Sequence, residues 1–366
     1  MSVETLYPSD TLPRPRAGFL FIRPIHLKLA VLTLGIGVLF VMVLAWGSVS
    51  IPLDNVARIL TTGEADKASW VNIVMKVRLP KAITALLAGA ALAVSGLVMQ
   101  TFFRNPLAGP YILGISSGAS LGVGLVVLTG GAASGLVIGV GLGGDFLLAA
   151  AASVGAALAL GIVLIAARRV ENSLTLLVLG VMFGSFTSAI VSLLMYFSAP
   201  ERVQSYIQWT FGSFSTVTTS QLAPLAVGVI VGLILTGGLA KSLNALLLGE
   251  EYARTMGLSV GRVRLLIVTG TALLAGTVTA FCGPVGFIGT AVPHLCRAIF
   301  NTSDHRVLLP ACGLMGACVG LIAALIAELP GSSVILPLNA ITALIGAPVV
   351  MFVLMRQRQL HKAFGG

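Results

Sequence analysis

Residues 79–100 read LPKAITALLAGAALAVSGLVMQ, and no charged side chain occurs between Lys81 and Arg104. About 20 predominantly apolar residues are what one helix needs to cross the hydrocarbon core of a bilayer. The same kind of stretch recurs at 28–47, 111–130, 146–167, 174–197, 221–240, 265–282, 284–300, 307–327 and 338–355. The pattern predicts an all-α polytopic membrane protein of about ten transmembrane helices with short connections. The seventh and eighth segments are separated only by Gly283-Pro284, compatible with either a kink or a re-entrant pair. Residues 131–145 are glycine-rich and read as a loop.

Composition points the same way. Of 366 residues, 57% are hydrophobic and only 9% charged, with a mean hydropathy of +1.03. Soluble domains carry about 25% charged residues, so this chain cannot cover a water-facing surface. The net charge of +10 does not indicate nucleic acid, because the basic residues form no dense stripe interleaved with aromatics. It reads as topology. With the N-terminus in the cytoplasm, Arg58, Lys67, Lys76, Arg78, Lys81 and Arg202 fall outside and the rest of the 22 Lys and Arg fall inside, as the positive-inside rule asks. Both termini are then cytoplasmic. Arg14, Arg16, Arg23 and Lys28 precede a long apolar run, read as a first membrane helix and not a cleaved signal. The expected organisation is a cytoplasmic N-terminal segment over 1–27, a transmembrane domain over 28–356 and a cytoplasmic tail over 357–366.

The string TALLAG occurs at Thr84–Gly89 and again at Thr271–Gly276, followed by Ala93 and Gly96 in one copy and by Ala280 and Gly283 in the other. The copies lie five spans apart, and an odd number of crossings reverses direction. That is the inverted-repeat character of membrane transporters. Small residues at Gly118/Gly122, Gly135/Gly139, and Gly155 with Gly161 suit close helix packing.

Several activities are excluded by what is missing. No expected span carries an acidic residue near its middle; Asp145 and Glu328 fall at span ends. Ion-gradient-driven secondary carriers, the competing class, ordinarily need such relays. There is no G-x-x-x-x-G-K-[ST] phosphate loop, so active transport would draw energy from a separate chain. Cys282, Cys296, Cys312 and Cys318 lie in apolar segments without C-x-x-C spacing, which supports neither a metal site nor a disulfide framework. Paired acids or a nucleophile–histidine arrangement are also lacking, so the chain is not read as an enzyme.

Two connections stand out. Lys241–Arg264 reads KSLNALLLGEEYARTMGLSVGRVR. Glu250 and Glu251 suit a helix N-terminus, Gly257 a left-handed stop and Ser259 a second cap. The stretch reads either as an amphipathic connector or as a short helix pair offered to a cytoplasmic partner. The turn Arg104-Asn105-Pro106-Leu107-Ala108-Gly109-Pro110 is stiffened by two prolines.

The pieces R-L-P-K, G-A-A-L-A-V-S-G-L-V-M-Q, R-N-P-L-A, L-G-I-S-S-G-A, L-G-E-E-Y-A-R-T-M-G-L, G-P-V-G-F-I-G-T-A-V-P-H-L-C-R, S-D-H-R and T-A-L-I-G-A-P together resemble the FecCD family of ABC-importer permeases, over roughly residues 28–356. Members of this family move iron-siderophores, haem or vitamin B12. The resemblance implies a ten-helix permease that pairs with a second permease chain, expected to be its own copy. Two ATPase subunits would bind ATP and Mg, leaving this chain without a cofactor of its own. An extracytoplasmic substrate-binding protein would deliver the cargo, and the assembly would sit in a bacterial or archaeal cytoplasmic membrane. It further implies that Glu250, Glu251, Ala253 and Gly257 contact the ATPase. Asn105, Pro106 and Leu107, with Ser173, would form a cytoplasmic gate. Arg78 and Lys81, matching the family's R-x-P-R motif, would receive acidic residues of the binding protein.

Two departures stand against that pattern. Ala324 and Glu328 occupy positions where many relatives carry an acid and an arginine, and Ile335-Leu336-Pro337-Leu338-Asn339 replaces the frequent E-L-P-x-G. His294, in the P-H-L-x-R motif, has no second ligand nearby in sequence and is expected to pack or hydrogen-bond rather than bind metal.

Overall fold

The computed structural model describes residues 24–130, 144–169, 173–328, 331 and 334–364. Residues 1–23 of the expected N-terminal segment 1–27, and most of the glycine-rich stretch, including Gly135 and Gly139, lie outside the described residues.

All ten expected spans are helical. They are α1 (Pro24–Ala45), α4 (Leu79–Phe102), α5 (Ile115–Leu128), α6 (Gly144–Arg169), α7 (Ser173–Tyr196), α9 (Thr219–Gly237), α12 (Val260–Cys282), α13 (Ile288–Phe300), α14 (His305–Ala327) and α15 (Leu338–Phe364). Short helices join them: α2 (Leu53–Thr62), α3 (Ala68–Asn72), α8 (Pro200–Thr210), α10 (Ala240–Leu247) and α11 (Glu250–Thr255). Seven helices among the described residues are long and apolar enough to cross a membrane, while α5, α13 and the apolar part of α15 are shorter. The second span starts earlier than its hydropathy suggests, because α3 runs through one π-helical turn, Ile73–Arg78, directly into α4. The last helix also continues past residue 356, to Phe364.

The centre of the bundle is α4, which packs against α14, α12 and α13. Alanine and glycine make this possible. A methyl group on Gly89 would collide with the carbonyl of Gly316 on α14, and one on Gly118 with the carbonyl of Gly155 on α6. In a bilayer such close backbone approach supplies the packing that hydrophobicity cannot. Gly161, grouped with Gly155 on sequence, instead faces open space.

The two TALLAG copies lie on α4 and α12, with Thr84 and Thr271 both fully buried. They run in opposite directions. The start of α4 and the end of α12 share one end of the bundle: Lys81 reaches Glu328, Ser215 donates to Glu328, and the neighbouring Ser213 N–H donates to the Cys282 carbonyl at 2.8 Å. At the other end, Arg264 near the start of α12 pairs with Glu250, beside Arg104 at the end of α4.

The Gly283-Pro284 junction is a true interruption. Gly283 and Phe287 both adopt positive φ, and α13 restarts with Gly289 against Leu92 and Gly96, midway along α4. Broken backbone at membrane depth persists only where protein groups satisfy it. Asn339 does so here. Its Oδ1 accepts from Gly286 N–H at 2.8 Å, and its Nδ2 donates to the carbonyls of Pro284 at 2.8 Å and Thr210 at 2.9 Å.

Candidate functional site

The two unusual connections come together at one end of the bundle. The loop between α9 and α12 folds as the short helices α10 and α11, hinged at Gly249, whose φ of 122° requires glycine. Gly257 terminates α11 as expected, with φ 83°. Its N–H donates to Arg254 O at 2.9 Å, and that of Leu258 to Ala253 O at 3.0 Å, the double bond of a glycine stop. Ser259 precedes α12 but makes no side-chain cap bond.

The four residues assigned to partner contact separate in space. Glu251 is 89% exposed, with Arg254 at 3.6 Å, and Gly257 is exposed beside it. Glu250 turns inward to Arg264 at 3.2 Å. Ala253 is fully buried, so it supports the loop from behind and offers no surface to a partner. Sequence reasoning missed Leu248, Tyr252 and Met256, each more than half exposed. Their signal was present: apolar side chains in a polar connection, on either side of Glu250 and Glu251.

The proline turn sits next to this loop. The Asn105 side chain accepts from Leu107 N–H at 2.9 Å, closing the turn on itself, and Leu107 points outward, 55% exposed. From α13, His294 Nε2 donates to the Pro106 carbonyl at 2.8 Å. Arg297 donates to Gln100 Oε1 at 2.6 Å, while Gln100 Nε2 donates to Thr290 O at 3.1 Å. His294 is thus committed to holding the turn, and no cluster of potential metal ligands occurs among the described residues. Ser173 opens α7, but its side chain lies outside what is described.

Helix α10 is fastened to the end of α4 by a chain of polar side chains. Asn244 Oδ1 accepts from His305 N–H at 2.9 Å and stands 2.8 Å from His305 Nδ1. His305 Nε2 faces the Thr101 hydroxyl at 2.7 Å. Asn244 Nδ2 also donates to Asp304 at 2.6 Å. Asp304 caps α14 by accepting from Arg306 N–H, and this backbone bond, with the Asn244 amide, holds its carboxyl below the usual range.

At the opposite end Arg78 and Lys81, expected to receive a binding protein, are turned into the chain. Both are 3% exposed. Arg78 donates to the carbonyls of Leu44 and Ala45, each at 2.9 Å, and to that of Val49. Lys81 Nζ lies 2.9 Å from Glu328 Oε2, and Ser215 donates to the other oxygen of that carboxylate at 3.2 Å. Their charge is spent inside the chain, Arg78 on the carbonyls at the end of α1 and Lys81 on the Glu328 carboxylate at the end of α14. The cations exposed at this end are Arg58, Lys67, Lys76 and Arg202. Of these, Arg58 pairs with Asp66 at 2.7 Å and Lys67 stacks over Trp70.

Over residues 34–356 the chain matches the model of the FecCD transport family. It belongs to that family. The vitamin B12 import system permease protein BtuC of Klebsiella pneumoniae is 39% identical over 296 residues, covering 81% of this chain and 86% of the relative. That of Salmonella typhimurium is 39% identical over 283 residues, covering 77% and 83%. Among solved structures, one described as a metal-chelate type ABC transporter in an inward-facing conformation superposes with a TM-score of 0.77 at 29% identity, covering 90% of this chain and 98% of its own. As a FecCD-family chain this is an ABC transporter permease that crosses the membrane several times.

Proposed function

We propose that the chain is the membrane-spanning subunit of an ATP-driven importer for cobalamin or a related metal chelate. It works by alternating access, paired with a second permease chain, in a bacterial or archaeal cytoplasmic membrane. Two ATPase subunits carrying ATP and Mg dock at the end holding α10 and α11, which is cytoplasmic along with both termini. A substrate-binding protein docks at the opposite end. The observation that carries this reading is the joining, at one end, of an exposed partner surface (Leu248, Glu251, Tyr252, Met256) to a proline turn at the foot of the central helix. A push on the surface therefore has a short mechanical route to Asn105-Pro106-Leu107, the gate.

At the other end, the burial of Arg78 and Lys81 leaves surface attraction of an acidic binding protein to exposed cations such as Lys76 and Arg202. Such charges mainly steer encounter. Buried charged side chains among the described residues, Arg78, Lys81 and Arg264, sit at helix ends, which supports a driving force supplied from outside the spans.

The test is reconstitution of permease, ATPase and binding protein in liposomes, with uptake of cobalamin and of ferric chelates followed against ATP. Uptake requiring ATP and binding protein is the expected result. Uptake without ATP that collapses with an ionophore would instead establish a gradient-driven carrier.

A further inference from the structure

The end of α4 carries an arginine where chain geometry favours glycine. Arg104 has φ 48°. Its N–H donates to Thr101 O at 3.2 Å, and the next N–H, of Asn105, donates to Gln100 O at 3.1 Å. This is the double-bonded helix stop whose left-handed residue is usually glycine, since any Cβ is strained there. A side chain kept at such a position has work elsewhere. The Arg104 guanidinium donates through Nη2 to the carbonyls of Leu246 and Leu247, each at 3.3 Å. These are the last carbonyls of α10, at the negative end of its dipole. The same nitrogen lies 3.0 Å from where a Cβ on Gly249 would sit, so a side chain there would crowd the contact.

We infer that Arg104 is the positioning residue that transmits movement of the α10–α11 loop to the gate turn. Its backbone begins the turn and its side chain grips the loop at the hinge, so the two cannot move independently. The Asn244–His305–Thr101 chain ties the middle of α10 to the end of α4 as well, so α10, with the Gly249 junction at its end, and the turn move together. This inference rests on the proposed ATPase docking and assigns that docking its route.

Arg104→Gly is the discriminating variant, because glycine suits the left-handed backbone while deleting the grip. In the reconstituted complex it should fold and bind the ATPase like wild type. Transport of cobalamin or ferric chelate per ATP hydrolysed should fall about fivefold or more, the scale of a typical coupling between sites. Arg104→Lys should recover part of the loss. A second readout does not depend on cargo: ATP should change hydrogen exchange at the Leu107 and Ala108 amides in wild type but not in Arg104→Gly. If Arg104→Gly matches wild type in both readouts, or ATP leaves the wild-type turn unchanged, the inference is overturned. A wild-type complex that hydrolyses ATP but carries none of these cargoes overturns the substrate reading, while the exchange readout still decides on Arg104. Failure to assemble with an ATPase overturns both.

Discussion

Lys81 Nζ sits 2.9 Å from Glu328 Oε2, with side chains 4% and 17% exposed, joining the start of α4 to the end of α14. A buried pair of this kind is expensive to break from one side, since the survivor is left charged and unpaired. Lys81→Met or Glu328→Leu alone should destabilise the protein by about 3 kcal/mol, and the double variant by much less. Thermal unfolding of the four proteins in one detergent measures this. Equal losses that simply add would show the two residues to be independent.

The same double variant addresses docking. With the pair replaced by apolar side chains, association with the binding protein should stay near wild type, whereas charge reversal at Lys76 and Arg202 should weaken it, most at low salt. Binding measured at two ionic strengths distinguishes the two sets of cations.

Asn339 satisfies three backbone groups around the interrupted helix. Asn339→Ala leaves them without their protein partner at a half-buried site. The expected loss is about 1–2 kcal/mol, since a fully buried polar group left unmade costs about 1–3 kcal/mol and these half-buried groups recover part of that from water. Amide exchange at Gly286 should rise with it. Unchanged exchange there would mean the break is held by packing alone.

Asp304 at one end and Asp66 at the other have carboxyls held below the usual range. The causes are, for Asp304, the Arg306 N–H and the Asn244 amide, and for Asp66, the Asn55 amide and the Arg58 guanidinium. A lowered folded pKa contributes stability that is present above the unfolded value of about 3.9 and disappears as pH falls through the folded one. Stability from these groups should therefore be flat from neutral pH to about 5 and decline below that. Asp304→Asn should flatten part of the acid limb in a melting-temperature profile taken from pH 7 to 3.

Within the α10–α11 loop, the inward and outward acids should behave differently. Glu251→Lys changes an exposed charge and should leave melting within about 0.5 kcal/mol of wild type while lowering ATPase association several-fold. Glu250→Ala strips a partner from the buried Arg264 and should lower stability first. If both variants melt alike and bind alike, the separation of roles is mistaken.

The hydropathy of the chain by itself gave ten apolar helical segments and their short connections, because a segment crossing a bilayer alone must satisfy its own backbone groups, which a helix of about that length does. The repeated TALLAG string and the odd number of spans between its copies also sufficed for their opposed direction. Gly257 could be read as a helix stop because glycine alone enters the left-handed region without strain. Charge placement was legible only to the level of which end. Whether Arg78 and Lys81 face a partner or the interior depends on the carbonyls at the end of α1 and on Glu328, more than 200 residues away from either. The same holds for Arg104: its neighbours in sequence mark a turn, but its grip on Leu246 and Leu247 crosses 142 and 143 residues. Local propensity and span length are properties of a segment, whereas the partner of a charge in a membrane protein is whichever group the packing of small residues brings within reach.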